Sequence, residues 1–438
     1  MLQALTRAFK TPDLRKRIFF TLGMIALFRL GSFIPTPGVN YTNVQQCLKQ
    51  GSGSGGLQDM INMFSGGALL QLSVFALGIM PYITASIMVQ LLRVVIPHFE
   101  ALHEEGQTGQ AKLTQYTRYL TIFLAVINAT TIITLARSGN LLPGCSLPLI
   151  PNTSVWTILL MIVTLTAGTS LIMWMGEMVT EKGIGNGMSI LIFTSVAAGF
   201  PTSLGAIRAT HGWGVFALVL AVGVLLVALV IFVEQSQRRI PVQYAKRTMG
   251  SRTVGGGNTY IPIKVNMAGV VPVIFASSIL MLPQMVAQFF TARNGGTTPA
   301  WAEWIDKYLV SGDHPLYMII YFFLIIFFAY FYVSITFNPE EVADNMKKYG
   351  GFIPGIRAGR PTANYLAYVL NRITAPGSLY LALIALLPMV ALALFGANKS
   401  FPFGGTSLLI IVGVGLDTVK QLNAKLQQHH YEGLLRDE

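Results

Sequence analysis

The stretch GIMPYITAS at residues 78–86 returns in register as GVVPVIFASS at residues 269–278. Gly78, Pro81, Ile83, Ala85 and Ser86 reappear as Gly269, Pro272, Ile274, Ala276 and Ser277. Each copy places a proline inside what reads as an apolar helix. A second, looser pair sets Gly187, Met188, Ser189, Ile190, Leu191 and Ile192 against Gly405, Thr406, Ser407, Leu408, Leu409 and Ile410. A single short match between apolar segments is what chance supplies, because such segments draw on few residue types. Two matches at equivalent places favour an internal repeat.

Composition says what is being repeated. The 438 residues are 53% hydrophobic and 11% charged, whereas soluble domains are about 25% charged, so the chain reads as a polytopic membrane protein. Its net charge of +12 is the signature of basic loops on one side of a membrane rather than of nucleic-acid binding. Two cysteines, Cys47 and Cys145, spell out neither a disulfide framework nor a metal cluster. The basic start MLQALTRAFKTPDLRKR runs into a long apolar stretch with no convincing cleavage site before IPTPG, so it is expected to remain as a first span.

A window of about 20 apolar residues crosses the hydrocarbon core. That criterion predicts ten spans, near 18–34, 72–92, 119–136, 154–175, 186–200, 213–233, 267–290, 316–337, 374–395 and 404–421. With both termini on the inner side, twenty-three lysines and arginines fall in inner segments and six in outer ones, which fixes the expected orientation. The remaining one, Arg29, lies within the first span and reads as a snorkelling or structural charge near the outer interface.

The repeats fall in spans 2 and 7 and in spans 5 and 10, the second and fifth of each half. Five spans per half is an odd number, so the second half enters the membrane from the opposite face. The expectation is an all-α protein of ten transmembrane helices in two inverted five-helix halves around a central pore, residues 1–200 and 201–438. In such proteins the working site lies near the midplane between the halves. The four repeat-bearing spans have no titratable side chain near their centres, since Glu177, Glu234 and Asp417 sit at span ends. This counts against an ion-coupled transporter, which needs an intramembrane carboxylate or a comparable relay. What the spans share is aliphatic: Ile83, Ile192, Ile274 and Ile410 at matched positions, with Ile79 and Met188 one helical turn before Ile83 and Ile192. On an isolated helix these would be core. Converging on a pseudo-symmetry axis, they would form an apolar constriction that closes by dewetting.

Pro81 and Pro272 are expected to kink their helices. Thr84, Asn128, Ser277 and Ser278 are positioned for polar contacts among spans 2, 3 and 7, each worth about 1 kcal/mol. The amphipathic, glycine-flanked run Leu57–Phe64 is too short to span. It suits an interfacial helix or a hinged segment folding into the pore mouth. Two long inner loops, 234–266 and 338–373, mix basic residues with aromatics, prolines and glycines. They are solvated basic loops by default, and a docking surface for an acidic or RNA-containing partner by position. No enzyme motif is present: HEEGQ at 103–107 lacks the second histidine of HExxH, and neither GxSxG nor a Walker A loop occurs.

Several long stretches resemble the SecY family: NMFSGGALLQLSVFALGIMPYITASIM, QYTRYLT, VTEKGIGNGMS, QRRIPVQYAKR, KVNMAGVVPVIFASS and FIPGIRAG. The resemblance runs from RLGSFIPTPG at 29–38 to FGGTSLLIIVGVGLD at 403–417. It implies a non-enzymatic channel in the bacterial cytoplasmic membrane that passes unfolded preproteins and releases apolar segments sideways into lipid. It places a pore ring on Ile79, Ile83, Met188, Ile192, Ile274 and Ile410. It places a plug near 56–70, with Leu57, Met60, Ile61, Met63, Phe64, Ser65, Gly66 and Gly67, and so favours the hinged reading of that segment. A lateral gate falls on Thr84, Asn128, Ser277 and Ser278. Docking of the SecA motor or a ribosome falls on Arg238, Arg239, Lys246, Arg247, Arg252, Lys347, Lys348 and Arg357. The implied partners are SecE and SecG in a heterotrimer, with SecDF and YidC further out; no cofactor or metal is implied.

Overall fold

The computed structural model describes residues 9, 11–50, 66–137, 141, 147–244, 247–249, 252–254, 258–293, 299–305, 308–309, 314–395 and 405–436. Helix α1 (Pro12–Gly31) opens with proline and Asp13 and closes with Arg29 in its last turn, the charge order that suits a helix dipole. A short α2 (Tyr41–Gln50) follows, then a run of turns at 66–79 that is tied to residues 34–36 by the bridge Pro35↔Ser73. Helices α3 (Met80–Val95) and α4 (Pro97–Glu104) bend by 104° across Ile96, because Pro97 cannot continue the first helix. Long helices α5 (Gln107–Arg137), α6 (Val155–Lys182) and α7 (Gly187–Gln235) complete the first part of the chain. Gly212, at φ 78°, breaks α7 into two arms. The expected fifth and sixth spans are these arms.

A small antiparallel sheet comes next. β1 (Gln237–Tyr244) pairs along its length with β4 (Asn258–Lys264), and β2 (Arg247–Met249) with β3 (Arg252–Val254) forms a hairpin between them. Helix α8 (Val271–Arg293), the short α9 (Ala300–Ile305), α10 (Pro315–Thr336) and α11 (Pro339–Lys348) follow. Asn338 caps α11 by accepting from Glu340 N at 3.1 Å, and the helix ends on Lys347 and Lys348. β5 (Gly351–Phe352) joins the other edge of β1, and α12 (Arg360–Phe395) and α13 (Gly405–Arg436) close the chain. The sheet order β4-β1-β5 stitches the two long basic loops together. The sequence reading left these segments as loops.

Among the described residues, six helices are long and apolar enough to cross a membrane, or seven if α3 with α4 is one span. The other expected spans fall on α1, the first arm of α7 (Gly187–Pro201) and the start of α8 (Val271–Leu280), where the apolar run is short or carries charge. The principal core draws on α1, α3, α6, α7, α8, α10, α12 and α13; a second cluster joins α2, α5 and α6, and a third packs the sheet on α10, α11 and α12. Cys47 is buried and disulfide-bonded; the chain's other cysteine, Cys145, lies outside the described residues.

Candidate pore site

The repeated stretches fold alike. Gly78 and Gly269 take φ +58° and +62°, a left-handed conformation that glycine adopts at little cost. A helix starts two residues later in each case, at Met80 and at Val271. The first turns share one hydrogen-bond pattern: Tyr82 N and Ile83 N donate to Ile79 O, as Val273 N and Ile274 N donate to Val270 O. Pro81 and Pro272 therefore occupy the second helical position rather than kinking a continuous span. Their missing N–H would have had no intrahelical acceptor there. The expected kink is corrected to a helix start, preceded in the first copy by turns. The second pair also lies at helix starts, although there the glycine is itself the first helical residue, Gly187 opening α7 and Gly405 opening α13. Asn186 caps α7 by accepting from Met188 N at 3.1 Å.

Four helix starts thus present the expected ring residues within their first six positions or, for Ile79, at the cap. All six lie in one hydrophobic cluster. Ile79, Ile192, Ile274 and Ile410 are buried, and Ile83 and Met188 pack against them half-buried. Ile83, Met188, Ile192 and Ile274 also line a cavity of about 560 Å³ whose other walls include Tyr82, Gln90, Thr114, Arg118 and Glu177. The apolar cluster thus borders a largely apolar chamber that carries polar and charged groups on part of its wall.

Arg118 on α5 and Glu177 on α6 meet two-pronged on that wall: Nε donates to Oε1 at 2.9 Å and Nη2 to Oε2 at 2.7 Å. Nη1 donates to Gln115 Oε1 at 3.0 Å. Fork geometry of this kind is the strong form of an ion pair. It commits the cavity's arginine and one of its carboxylates to holding two helices together.

The expected gate residues sit where α8 packs on α3 and α5. Two of their three hydroxyls bond within their own helix. Thr84 Oγ1 donates to Met80 O at 3.0 Å and Ser277 Oγ to Ile274 O at 2.9 Å. Ser278 Oγ is buried with no partner, and Asn128 is half-buried. On the far side of this seam, the Phe275 ring meets Phe328 and Tyr332 of α10 edge-on at 5.8 and 6.2 Å.

Of the expected plug, Leu57, Met60, Ile61, Met63, Phe64 and Ser65 lie outside the described residues. Gly66 and Gly67 take φ +66° and +89°. Arg29 donates from Nη1 to Gly66 O at 3.0 Å and lies 5.2 Å from the centroid of the Phe33 ring. A Cβ on Gly66 would come within 3.2 Å of Ser195 Cα, so the root of this segment is held between α1 and α7. Arg29 thus makes a structural tether.

The expected docking residues gather at the sheet. Arg238 and Arg239 are exposed on β1, Arg239 lying 4.9 Å from the Tyr260 ring centroid of β4. Lys347, Lys348 and Arg357 are exposed beside β5. Arg247 and Arg252 belong to the β2–β3 hairpin, and Lys246 lies outside the described residues. Sequence reasoning missed the Arg118–Glu177 pair and a buried Glu234–Asn266 contact. No local signal joins partners 59 and 32 residues apart, although both acidic residues stood out as charges at the ends of apolar spans.

The SecY family model matches residues 73–419. Relatives are similar along the whole chain: the protein translocase subunit SecY of Streptomyces galbus is 62% identical, with all of both chains covered. That of Micrococcus luteus is 61% identical and that of Mycobacterium tuberculosis (strain CDC 1551 / Oshkosh) 55%, again over 100% of each. The chain belongs to the SecY family. SecY-type folds are also what it matches among solved structures. A protein-conducting channel superposes with TM-score 0.62 at 18% identity, covering 94% of this chain and 92% of that one. A SecY structure whose plug domain stabilises the closed state of the translocation channel and maintains a membrane seal matches equally, with TM-score 0.62, 18% identity and coverage of 94% and 92%. The idle yeast Ssh1 complex bound to the yeast 80S ribosome matches with TM-score 0.63 at 16% identity, covering 93% and 89%. The chain is an all-α polytopic membrane protein of the bacterial translocon.

Proposed function

We propose that this SecY-family chain is a passive, gated protein-conducting channel: it moves unfolded preproteins through the six-residue apolar ring and releases apolar segments sideways between α3/α5 and α8/α10. One observation carries this reading: five isoleucines and Met188, from four matched helix starts, gather in one cluster, and four of them line the adjoining chamber. A flexible aliphatic collar has no fixed shape to recognise, so it seals around varied cargo and dewets when empty. It is a channel subunit and not an enzyme, and energy comes from a partner. The basic sheet is the docking face for SecA or a ribosome, a reading supported by its exposed arginines and lysines; the similarly folded yeast Ssh1 complex is itself ribosome-bound. SecE and SecG complete the heterotrimer, with SecDF and YidC as further partners. The Lys/Arg distribution supports a cytoplasmic sheet and cytoplasmic termini. The segment around 56–70 is the plug, rooted at Gly66, and the two inverted halves divide near residue 200.

The test is a photo-crosslinker at position 274 in membranes containing the assembled complex and a stalled, signal-bearing chain. Crosslinks that migrate along the chain as translocation proceeds place the polypeptide in the ring. With an active motor and no crosslink, the path lies elsewhere and a small-solute transporter becomes the better reading.

The docking assignment makes its own prediction. Arg357→Glu reverses an exposed charge beside β5. Repulsion at a docked charge pair costs on the order of 2 kcal/mol, roughly thirtyfold in affinity. SecA-driven transport should fall accordingly in proteoliposomes while the heterotrimer still assembles. Normal transport would remove Arg357 from the docking face.

A further inference from the structure

The junction between the basic sheet and α8 contains a buried polar contact that neither ring nor gate uses. Glu234, in the last turn of α7, is 8% exposed, and Asn266, just past β4, is 3% exposed. Asn266 Nδ2 donates to Glu234 Oε1 at 2.5 Å and to Gly269 O at 3.2 Å. Gly269 is the left-handed residue from which α8 springs, five residues before Ile274. The backbone beside this contact is pinned too. Val265 N donates to Ser236 O at 3.0 Å. A Cβ on Gly377 of α12 would fall 2.2 Å from Val265 O, so that helix backs the strand root directly. Lys264 reaches Asp417 of α13 at 3.6 Å.

A carboxylate held this far from water is costly, and well-packed apolar residues would anchor a strand root at least as firmly. What a hydrogen-bonded amide adds is direction: one side chain holds the end of α7 and the turn that starts α8. A change in the tilt of the sheet is therefore passed to Gly269, and rotation about Gly269 moves the first turn of α8. We propose that Asn266 is a positioning residue, clasped to Glu234, that transmits load on the basic sheet to the ring and gate face of α8. This rests on the reading of the sheet as a docking face and adds the route by which docking reaches the pore.

The experiment measures the gap between α5 and α8 in the full complex, with spin labels at Ile122 and Val286, which are 40% and 49% exposed. ATP-loaded SecA is expected to lengthen that distance in the parent. In Asn266→Ala, SecA should bind with unchanged affinity while most of the lengthening is lost. Glu234→Gln keeps an acceptor oxygen for the amide and should respond like the parent, a rescue that loss of packing would not give. If Asn266→Ala fails to assemble, Glu234→Ala cuts the same contact from the other side and is expected to uncouple in the same way. A full distance change in the alanine variant that assembles overturns the clasp alone. A parent complex that does not bind SecA overturns the docking reading, and the clasp with it.

Discussion

Ile410→Asn should turn a sealed channel into one that leaks ions, and Ile274→Asn should do so less severely. Ile410 is 1% exposed and Ile274 9%, and both belong to the cluster that gathers the ring. A carboxamide there has no partner among its aliphatic neighbours, and an unsatisfied buried polar group costs about 1–3 kcal/mol. Admitting water relieves that cost, so the dry constriction becomes a wet one. Every 1.4 kcal/mol taken from the hydration barrier is worth about tenfold in the population of open pores. Single-channel recordings of the reconstituted complex should therefore show resting conductance raised by about fivefold to a hundredfold over the parent, and cells should export proteins with defective signal sequences. Ile410→Val, which trims one methylene at about 1 kcal/mol, should loosen packing without wetting the ring. Unchanged leak together with unchanged signal stringency in Ile410→Asn would remove these residues from the constriction.

Gly187→Ala is expected to be strongly damaging for a one-carbon change. A Cβ there would lie 1.9 Å from Gly176 O, a backbone atom that cannot swing aside, while a Cβ on Gly176 would meet Met188 Sδ at 2.3 Å. The two glycines let α6 and α7 approach until their backbones touch, and Gly187 N donates to Thr180 Oγ1 at 2.8 Å in that contact. Overpacking costs about 1–3 kcal/mol, and here the displaced element carries Met188 and Ile192. The variant should accumulate poorly or melt several degrees lower in detergent, and any assembled fraction should leak. Gly23→Ala, with nothing within 4 Å of the added carbon, is the matched control and should be neutral. Equal melting of the two variants would show that α6 and α7 separate more readily than their contact implies.

Much of this architecture was legible because it is written twice. The repeated glycines mark four helix starts, two of them joined by a proline, and the isoleucine five residues on in each marks the proposed ring. What was misread was the proline's position. Apolar flanks made Pro81 appear internal, whereas Gly78 at φ +58° ends the preceding turns just before the helix begins. The sheet was hidden for a different reason. The alternation of buried Ile240 and Val242 on β1 is a strand signal, but Pro241 sits between them and basic residues precede them, the pattern of a loop. Contacts such as Arg118–Glu177 depend on how helices cross, which single-sequence periodicity does not encode. The local hydroxyl bonds of Thr84 and Ser277 belong with a general habit of threonine and serine in helices, bonding the carbonyl one turn back.

The two-residue strand β5 has a consequence for biogenesis. β1 and β4 come from one loop and can pair as soon as that loop is made, but Gln243 and Tyr244 meet Phe352 and Gly351 only after α8 to α11 have been synthesised. Closing so long a loop adds little to the entropic cost; what it sets is timing, because chains fold from the N-terminus as they emerge. The last strand is a time stamp on the sheet. When it pairs, α12 and α13 are still to be made, Ile410 with them, so the three-stranded platform is finished before the cluster that it sits beside.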